Sequence, residues 1–473
     1  MTILPLDPTA NATPEALRDF LAQCREAAMQ AGRAKLVSIT LTVPALDPLA
    51  VLESIFEPGE PHFYAERPDL ATAIAGAETA VAFATQGPNR FADVQAWIDD
   101  ILEHSIAVGA VNAPMGGPHF FTAFTFFDTV ETGEPFPAAR VFVPRWQVAR
   151  AGEVTTAVAN LLVAPDTDLT PLTERVWRAH RTFGGFRFQS TSATDEAEEP
   201  APRFTTREAG DYPATVANGL ARIAAGEFSK IVLARAKDLA ADRRLHPLRV
   251  LNGLRQRFPD CYAFSLANGR GQSFIGASPE RLVRVSQGVL ETEALAGSIR
   301  RGAGASEDAA LATALQQNEK DRREHEFVVA SIVRRLTSLG LEPKFSREPG
   351  LRKLANVQHL HTPITAGLGE RVRLLDALGW LHPTPAVGGT PVAAAVARIR
   401  ELEGFPRGLY AGAIGWLNAR GGGEFFVGLR SALVDGAHAR LFAGAGIVAG
   451  SLPERERAET ELKFRAMQEA LQQ

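Results

Sequence analysis

Short runs of β-branched and aromatic residues recur along this chain, and turn residues join many of them directly. Residues 36–43 alternate apolar and polar side chains, as a half-buried strand does. Residues 120–127 and 140–143 are aromatic and β-branched, so strands again. Further strands are expected at 230–235, 262–266, 273–276 and 281–285, then at 409–418, 424–434 and 439–448. Gly421-Gly422-Gly423 between two of the last three points to a hairpin. Helices are expected over 13–31, with Thr13 as N-cap and Glu15 in the first turn, and over 454–471. Residues 308–339 read as one long helix or two in succession. Antiparallel-looking strand runs with helices between them make an α+β fold, not a doubly wound sheet.

One stretch breaks the pattern. Residues 189–203, QSTSATDEAEEPAPR, are polar, acidic and Pro-containing, and are expected to form a linker or exposed loop. They divide an N-terminal part, 1–188, from a C-terminal part, 204–473. The 473 residues suffice for two or three average domains or one large interleaved one. Net charge is −4 with both signs mixed and no basic stripe, which argues against a nucleic-acid partner. No apolar run is long enough to span a bilayer, and residues 1–7 lack the pattern of a signal peptide. The two cysteines, Cys24 and Cys261, make no disulfide framework, and a cytoplasmic location is expected. Neither resembles a nucleophile.

Several charged residues stand in apolar surroundings. Lys230 shares a strand face with Phe228, Val232 and Ala234. It lies either at an exposed strand end or buried, and burial would move it toward a usable base. Arg430 shares a face with Phe426, Gly428 and Ala432 and needs an anion, from a ligand carboxylate or from the protein itself. Glu280 follows Ala277-Ser278-Pro279 at a turn, and is either a pocket acid or a plain turn residue. Asp321 and Glu324 are three apart on one helix, as are Glu456 and Glu459 on another, where Lys463 follows one turn later. Carboxylates from two helices suit Mg²⁺, although charge runs such as KDRREHE and PERERAETE also describe solvated faces. Gly444, Gly446 and Gly450 have the wrong spacing for a dinucleotide fingerprint.

Taken together these segments resemble the chorismate-utilising enzyme family. The resemblance runs from about Phe228 to the C-terminus through FSKIVLAR, GASPERL, TEALAGS, KDRREHEFVV, VQHL, LHPTPAVGGTP, GLYAGAIGW, FFVGLRSAL, AGAGIVAGSLPE and AETELK, in family order. HFYAERPD and ARVFVPRW in the N-terminal part resemble the longer members. The resemblance implies an anthranilate-synthase-like fold of two facing antiparallel sheets flanked by helices, with chorismate and Mg²⁺ bound between the sheets.

The resemblance also implies roles. Members that use water have lysine where those that use ammonia have glutamine, so Lys230 would be the base and Glu280 the acid of an isochorismate synthase. Glu324 and Glu459 match the Mg²⁺ ligands, with Asp321 and Glu456 acting through water. Arg430 and Tyr410 match residues that hold the enolpyruvyl carboxylate. Lys463, Gly297, Ser298, His359, Ala386 and Gly446 match other pocket positions. Salicylate synthases share the lysine but usually carry Thr where Ala386 stands, so isochorismate is the expected product. The long N-terminal part resembles the menaquinone branch, with the siderophore branch as the alternative. Amine-forming members would need Gln at 230 and usually an amidotransferase partner. Leu52-Glu53-Ser54 slightly resembles part of the tryptophan feedback site of anthranilate synthases, but a non-catalytic chorismate or aromatic-ligand binder should have lost Lys230, Glu280 or the acid pairs. A monomer or weak homodimer is expected.

Overall fold

The computed structural model of the chain describes residues 1–4, 7, 12–55, 57, 59–184, 201–354, 357–369 and 371–472. The expected linker, 189–203, lies outside the described residues apart from 201–203. Among the described residues the strands form two sheets, one of 14 strands and one of 10. Pairing is antiparallel except at one edge of the larger sheet. There Ser105–Gly109 runs parallel to both Thr2–Ile3 and Lys35–Val43.

The two parts of the chain interleave in both sheets. Pro61–Arg67 pairs with Tyr262–Asn268 in the larger one, and His119–Phe124 pairs with Ala413–Asn418 in the smaller. The sheets face each other across an aromatic core. Phe63 stacks on Phe121 with ring centroids 4.4 Å apart, and Tyr262 on Phe426 at 4.8 Å, each pair joining one sheet to the other. Each such side chain, fully buried, contributes roughly 1.5–3 kcal/mol. Strand alternation sends the next residues outward. Phe274 belongs to the inner core, whereas Ile275 packs outside with Phe464 and Met467 of the helix Pro453–Leu471. The helix Pro14–Ala31 likewise lays Leu21, Cys24 and Ala28 on the outer face. Cys24 and Cys261 are both buried.

The N-terminal helix begins as expected, the Thr13 hydroxyl accepting the Ala16 amide at 3.1 Å. The stretch 308–339 is two helices, Ala305–Gln317 and Glu319–Ser338. Asn318 separates them and caps the second by accepting from the Lys320 and Asp321 amides. The hairpin at Gly421-Gly422-Gly423 joins Ala413–Asn418 to Gly423–Val427.

Two expected strands are corrected. Residues 409–412 form tight turns, with Tyr410 N donating to Arg407 O and Gly412 N to Leu409 O, both at 2.9 Å, so the strand starts only at Ala413. The run 424–434 is two strands in different sheets, Gly423–Val427 and Ser431–Asp435. The alternation that placed Arg430 on a face with Phe426 and Ala432 therefore does not run through. Gly428 lies so close under Leu409 that a Cβ there would sit 2.5 Å from its carbonyl oxygen, and Arg430 has φ +45°. The chain turns there because it changes sheets.

It changes sheets a second time nearby. Gln272–Ser278 lies in the larger sheet and Arg281–Ser286 in the smaller, with Pro279 and Glu280 between. The two crossings are bonded to each other: Val427 N donates to Glu280 O at 3.1 Å, and Ala277 N to Arg430 O at 3.2 Å. An acid and an arginine thus stand side by side where the chain passes between the sheets.

Candidate active site

Lys230 is the first residue of the strand Lys230–Ala241, and its side chain is only 13% exposed. The bland reading of an exposed strand end is thereby excluded. Its neighbour strand, His438–Val448, presents Gly446 opposite Val232. A Cβ at Gly446 would lie 3.0 Å from Lys230 Cε, so glycine there gives the lysine its room. Lys230 Nζ donates to Glu324 Oε1 at 2.8 Å, which brings the helix Glu319–Ser338 to the head of the strand.

Glu280 faces the same space. Burial raises its carboxyl to about 7, and the charge of Glu293 pushes the same way; Lys230, Arg352 and the Thr384 hydroxyl act against this. Glu293 itself is buried, and its carboxylate accepts from Arg352 and from His361, each at 2.7 Å. Those partners outweigh its burial and hold it down at about 2. Glu293 is therefore kept charged, while Glu280 is brought to the neutral range, where it can hold a proton and give it up. Reading the sequence missed Glu293, Arg352 and Thr384. Glu293 left one signal, a carboxylate inside the apolar strand Val289–Arg300.

Arg430 is half-buried and makes no ion pair with any described residue; its guanidinium lies 6.0 Å from the Phe258 ring centroid. The protein salt bridge weighed against a ligand carboxylate is absent among the described residues. Tyr410 is buried and stacks on Phe442 with centroids 5.2 Å apart. A Cβ at Gly444 would lie 2.7 Å from its hydroxyl. Lys463 Nζ reaches Gly444 O at 2.7 Å and Glu459 Oε1 at 2.8 Å.

The remaining predicted positions fall around this space. Gly297 has φ +74° at a bulge in its strand, and a Cβ there would lie 3.1 Å from the Asp321 Cβ. The Ser298 hydroxyl and His359 Nδ1 are 2.7 Å apart on paired strands. Burial drives the His359 ring down to about 3, with Arg430 and Lys463 adding to the effect, so it is neutral at ordinary pH. Ala386 lies in the turn 384–388, closed by Gly388 N donating to Thr384 O at 2.9 Å.

The acid pairs approach from two helices. Asp321 is raised by burial and by Glu324, and Glu456 by burial and by Glu459, while the charge of Lys320 reaches both Asp321 and Glu456. Among the described residues no three His, Cys, Asp or Glu side chains are grouped closely enough to hold a metal ion. Glu324 and Glu459 are bound to lysines instead. The donor set still suits Mg²⁺: it is all oxygen, crowded with like charge and half-open to solvent, and Mg²⁺ keeps several waters and needs only one or two carboxylates.

The family model for chorismate binding enzyme matches residues 19–472. The chain belongs to the chorismate-binding enzyme family. Its relatives include the salicylate biosynthesis isochorismate synthase of Pseudomonas aeruginosa, 36% identical over 96% of this chain and 94% of that protein. The isochorismate synthase MenF of Bacillus subtilis is 32% identical over 94% and 95% of the two chains. Among solved structures, the menaquinone-specific isochorismate synthase MenF of Escherichia coli superposes with a TM-score of 0.77. It is 26% identical and is covered completely by 96% of this chain. The facing sheets and flanking helices are thus the family's fold.

Proposed function

We propose that this enzyme is an isochorismate synthase. The observation that carries the reading is the enclosed Lys230 whose charge acts on Glu280, a carboxyl raised to about 7. Water is a poor nucleophile at neutral pH and needs a base, and ammonia does not. Lys230 as the free amine takes a proton from water as its oxygen bonds to C2 of chorismate. The C1–C2 double bond moves to C1–C6 and the C5–C6 double bond to C4–C5. The C4–O bond breaks, and Glu280 protonates the departing hydroxyl, which leaves as water. Base and acid each contribute typically ~10²–10⁴-fold.

Arg430, unpaired within the described residues, and Tyr410 take the enolpyruvyl carboxylate, the fork of an arginine matching a carboxylate. Lys463, Gly297, Ser298, His359, Ala386 and Gly446 shape the rest of the pocket. Glu324 and Glu459 would hold Mg²⁺, with Asp321 and Glu456 acting through its waters. The ion would neutralise the ring carboxylate and polarise the ring. Lys230 bonds only Oε1 of Glu324, so Oε2 would remain for a cation, whose charge beside the lysine would favour the free amine.

The menaquinone branch is part of this proposal. It rests on full-length alignment with the MenF relatives. The Pseudomonas enzyme named for salicylate biosynthesis aligns as far at higher identity, which favours a salicylate or siderophore branch as the second reading. The test is product analysis with chorismate and Mg²⁺, with and without ammonium. Isochorismate without pyruvate release supports the proposal. Salicylate plus pyruvate moves the enzyme to the lyase branch, an amine product overturns the water chemistry, and binding without conversion makes it a binder. Lys230→Gln is expected to lose at least ~10²-fold in water addition while still binding chorismate; wild-type turnover would remove Lys230 as the base.

A further inference from the structure

The strand that carries Lys230 has an incomplete edge. On that side Gly389–Thr390 pairs with Lys230 and Ile231, and the strand Phe204–Ala209 takes over only at Ala236. The backbone groups between those two partners are paired by something else. Val232 N donates to Gly388 O at 3.1 Å. The Val232 carbonyl accepts from Arg407 Nη2 at 2.7 Å, and the Ala234 amide donates to Glu403 Oε1 at 2.6 Å. Glu403 and Arg407 are bonded to each other at 2.5 Å, and both side chains are fully buried.

The same arginine reaches two more segments of the site. Its Nη1 donates to Val387 O at 3.1 Å, in the turn that holds Thr384 and Ala386. Its guanidinium lies 5.8 Å from the Tyr410 ring centroid and 4.2 Å from that of Phe126. A buried ion pair is weak evidence for stability, because desolvation opposes the attraction. This one is placed to do something more specific, since its bonds go to the strand of the base and the turn beside the acid, and its guanidinium lies over the ring of the tyrosine beside Gly444.

We propose that Glu403 and Arg407 are positioning residues that stand in for a missing strand and fix Lys230, the 384–388 turn and Tyr410 relative to one another. The inference rests on the reading of Lys230 as the base. Their charges are paired with each other in full burial, and their hydrogen bonds to the rest of the site go to the backbone they hold. A small displacement of a base from its attack geometry costs on the order of 10²-fold in rate, while binding contacts elsewhere persist.

The test uses Arg407→Lys, which keeps the charge but cannot bond Val232 O, Val387 O and Glu403 together. The expected result is a kcat for chorismate consumption lower by roughly 10- to 100-fold at a KM within about threefold of wild type. Hydrogen exchange should quicken in peptides covering 230–236 and 384–388, with the rest of the sheet unchanged. Glu403→Gln keeps the acceptor for the Ala234 amide and should lose less. Wild-type kcat with unchanged exchange in Arg407→Lys overturns the proposal, as does a fall that only tracks a smaller folded fraction. Should that variant not fold, Glu403→Gln decides: a several-fold lower kcat at unchanged KM supports it, and wild-type kcat overturns it. Rates are read as chorismate loss, so salicylate as the product would fail the isochorismate reading and leave this inference standing, whereas an amine product or no turnover would remove Lys230 as the base and overturn both; the exchange data separate a loosened strand and turn from either outcome.

Discussion

Burial and the fixed charge of Glu293 act in one direction and raise Glu280 to about 7, where it holds a proton for part of the time at neutral pH and can give it up. An acid that must donate in the transition state gains from that arrangement. Glu280→Gln keeps the shape and removes the proton. It is expected to lower kcat by at least ~10²-fold with chorismate still bound. Turnover near wild type would move the acid elsewhere. Arg430 invites a different measurement, since it has no ion-pair partner among the described residues and its backbone is held at φ +45°. Arg430→Met is expected to raise KM for chorismate roughly 10- to 100-fold, the equivalent of ~1.5–3 kcal/mol for a hydrogen bond to a charged group. An unchanged KM in a folded variant removes Arg430 from carboxylate binding. Both residues could be picked out in the sequence as charges in apolar company. Their meeting at two adjacent sheet crossings could not, because the alternation through 424–434 reads as one continuous strand. The orphaned edge at Val232 and Ala234 was equally hidden, since backbone pairing leaves no trace in side-chain pattern.

At the scale of elements, the two acid pairs sit on two different helices, Glu319–Ser338 and Pro453–Leu471. Asn318 starts one of them by accepting from the first amides, which fixes the direction in which Asp321 and Glu324 project. The other helix, Pro453–Leu471, is anchored outside the larger sheet by Phe464 and Met467, leaving Glu456 and Glu459 on its other side. Spacing of three residues showed that each pair shares a helix face, and the structure keeps that. Spacing showed Lys463 one turn from Glu459, but it could not show that Lys230 would hold Glu324, because that ion pair joins a strand to a helix 94 residues on. Glu324→Gln and Glu459→Gln are each expected to raise the Mg²⁺ needed for half-maximal activity by at least ~10-fold. Titrating activity against Mg²⁺ checks this. Curves that superpose on wild type for both variants would return these acids to the class of solvated faces.

At the scale of the whole molecule, packing two broad sheets face to face strands titratable groups inside. Burial lowers His119 to about 4 and His382 to about 3, so both rings stay neutral in the folded protein. The sign follows from where the protons go. Above the ordinary histidine value of about 6.5 both folded and unfolded chains are neutral there, and nothing is lost. As pH falls below 6.5 the unfolded chain binds protons that the folded one refuses, so stability declines until the folded values are reached. Glu293, held at about 2, adds to the decline once pH drops below the ordinary glutamate range. Glu280, raised to about 7, adds stability over the same fall in pH, but His62, His119, His359 and His382 are all lowered and outnumber it, so melting temperature should fall from pH 6.5 toward pH 4. His119→Gln combined with His382→Gln should flatten the upper part of that slope even if it lowers the plateau, since the variant has two fewer groups to protonate on unfolding. A wild-type melting temperature that stays level between pH 6.5 and 5 would show that these rings are not shielded from protons by the sheets that enclose them.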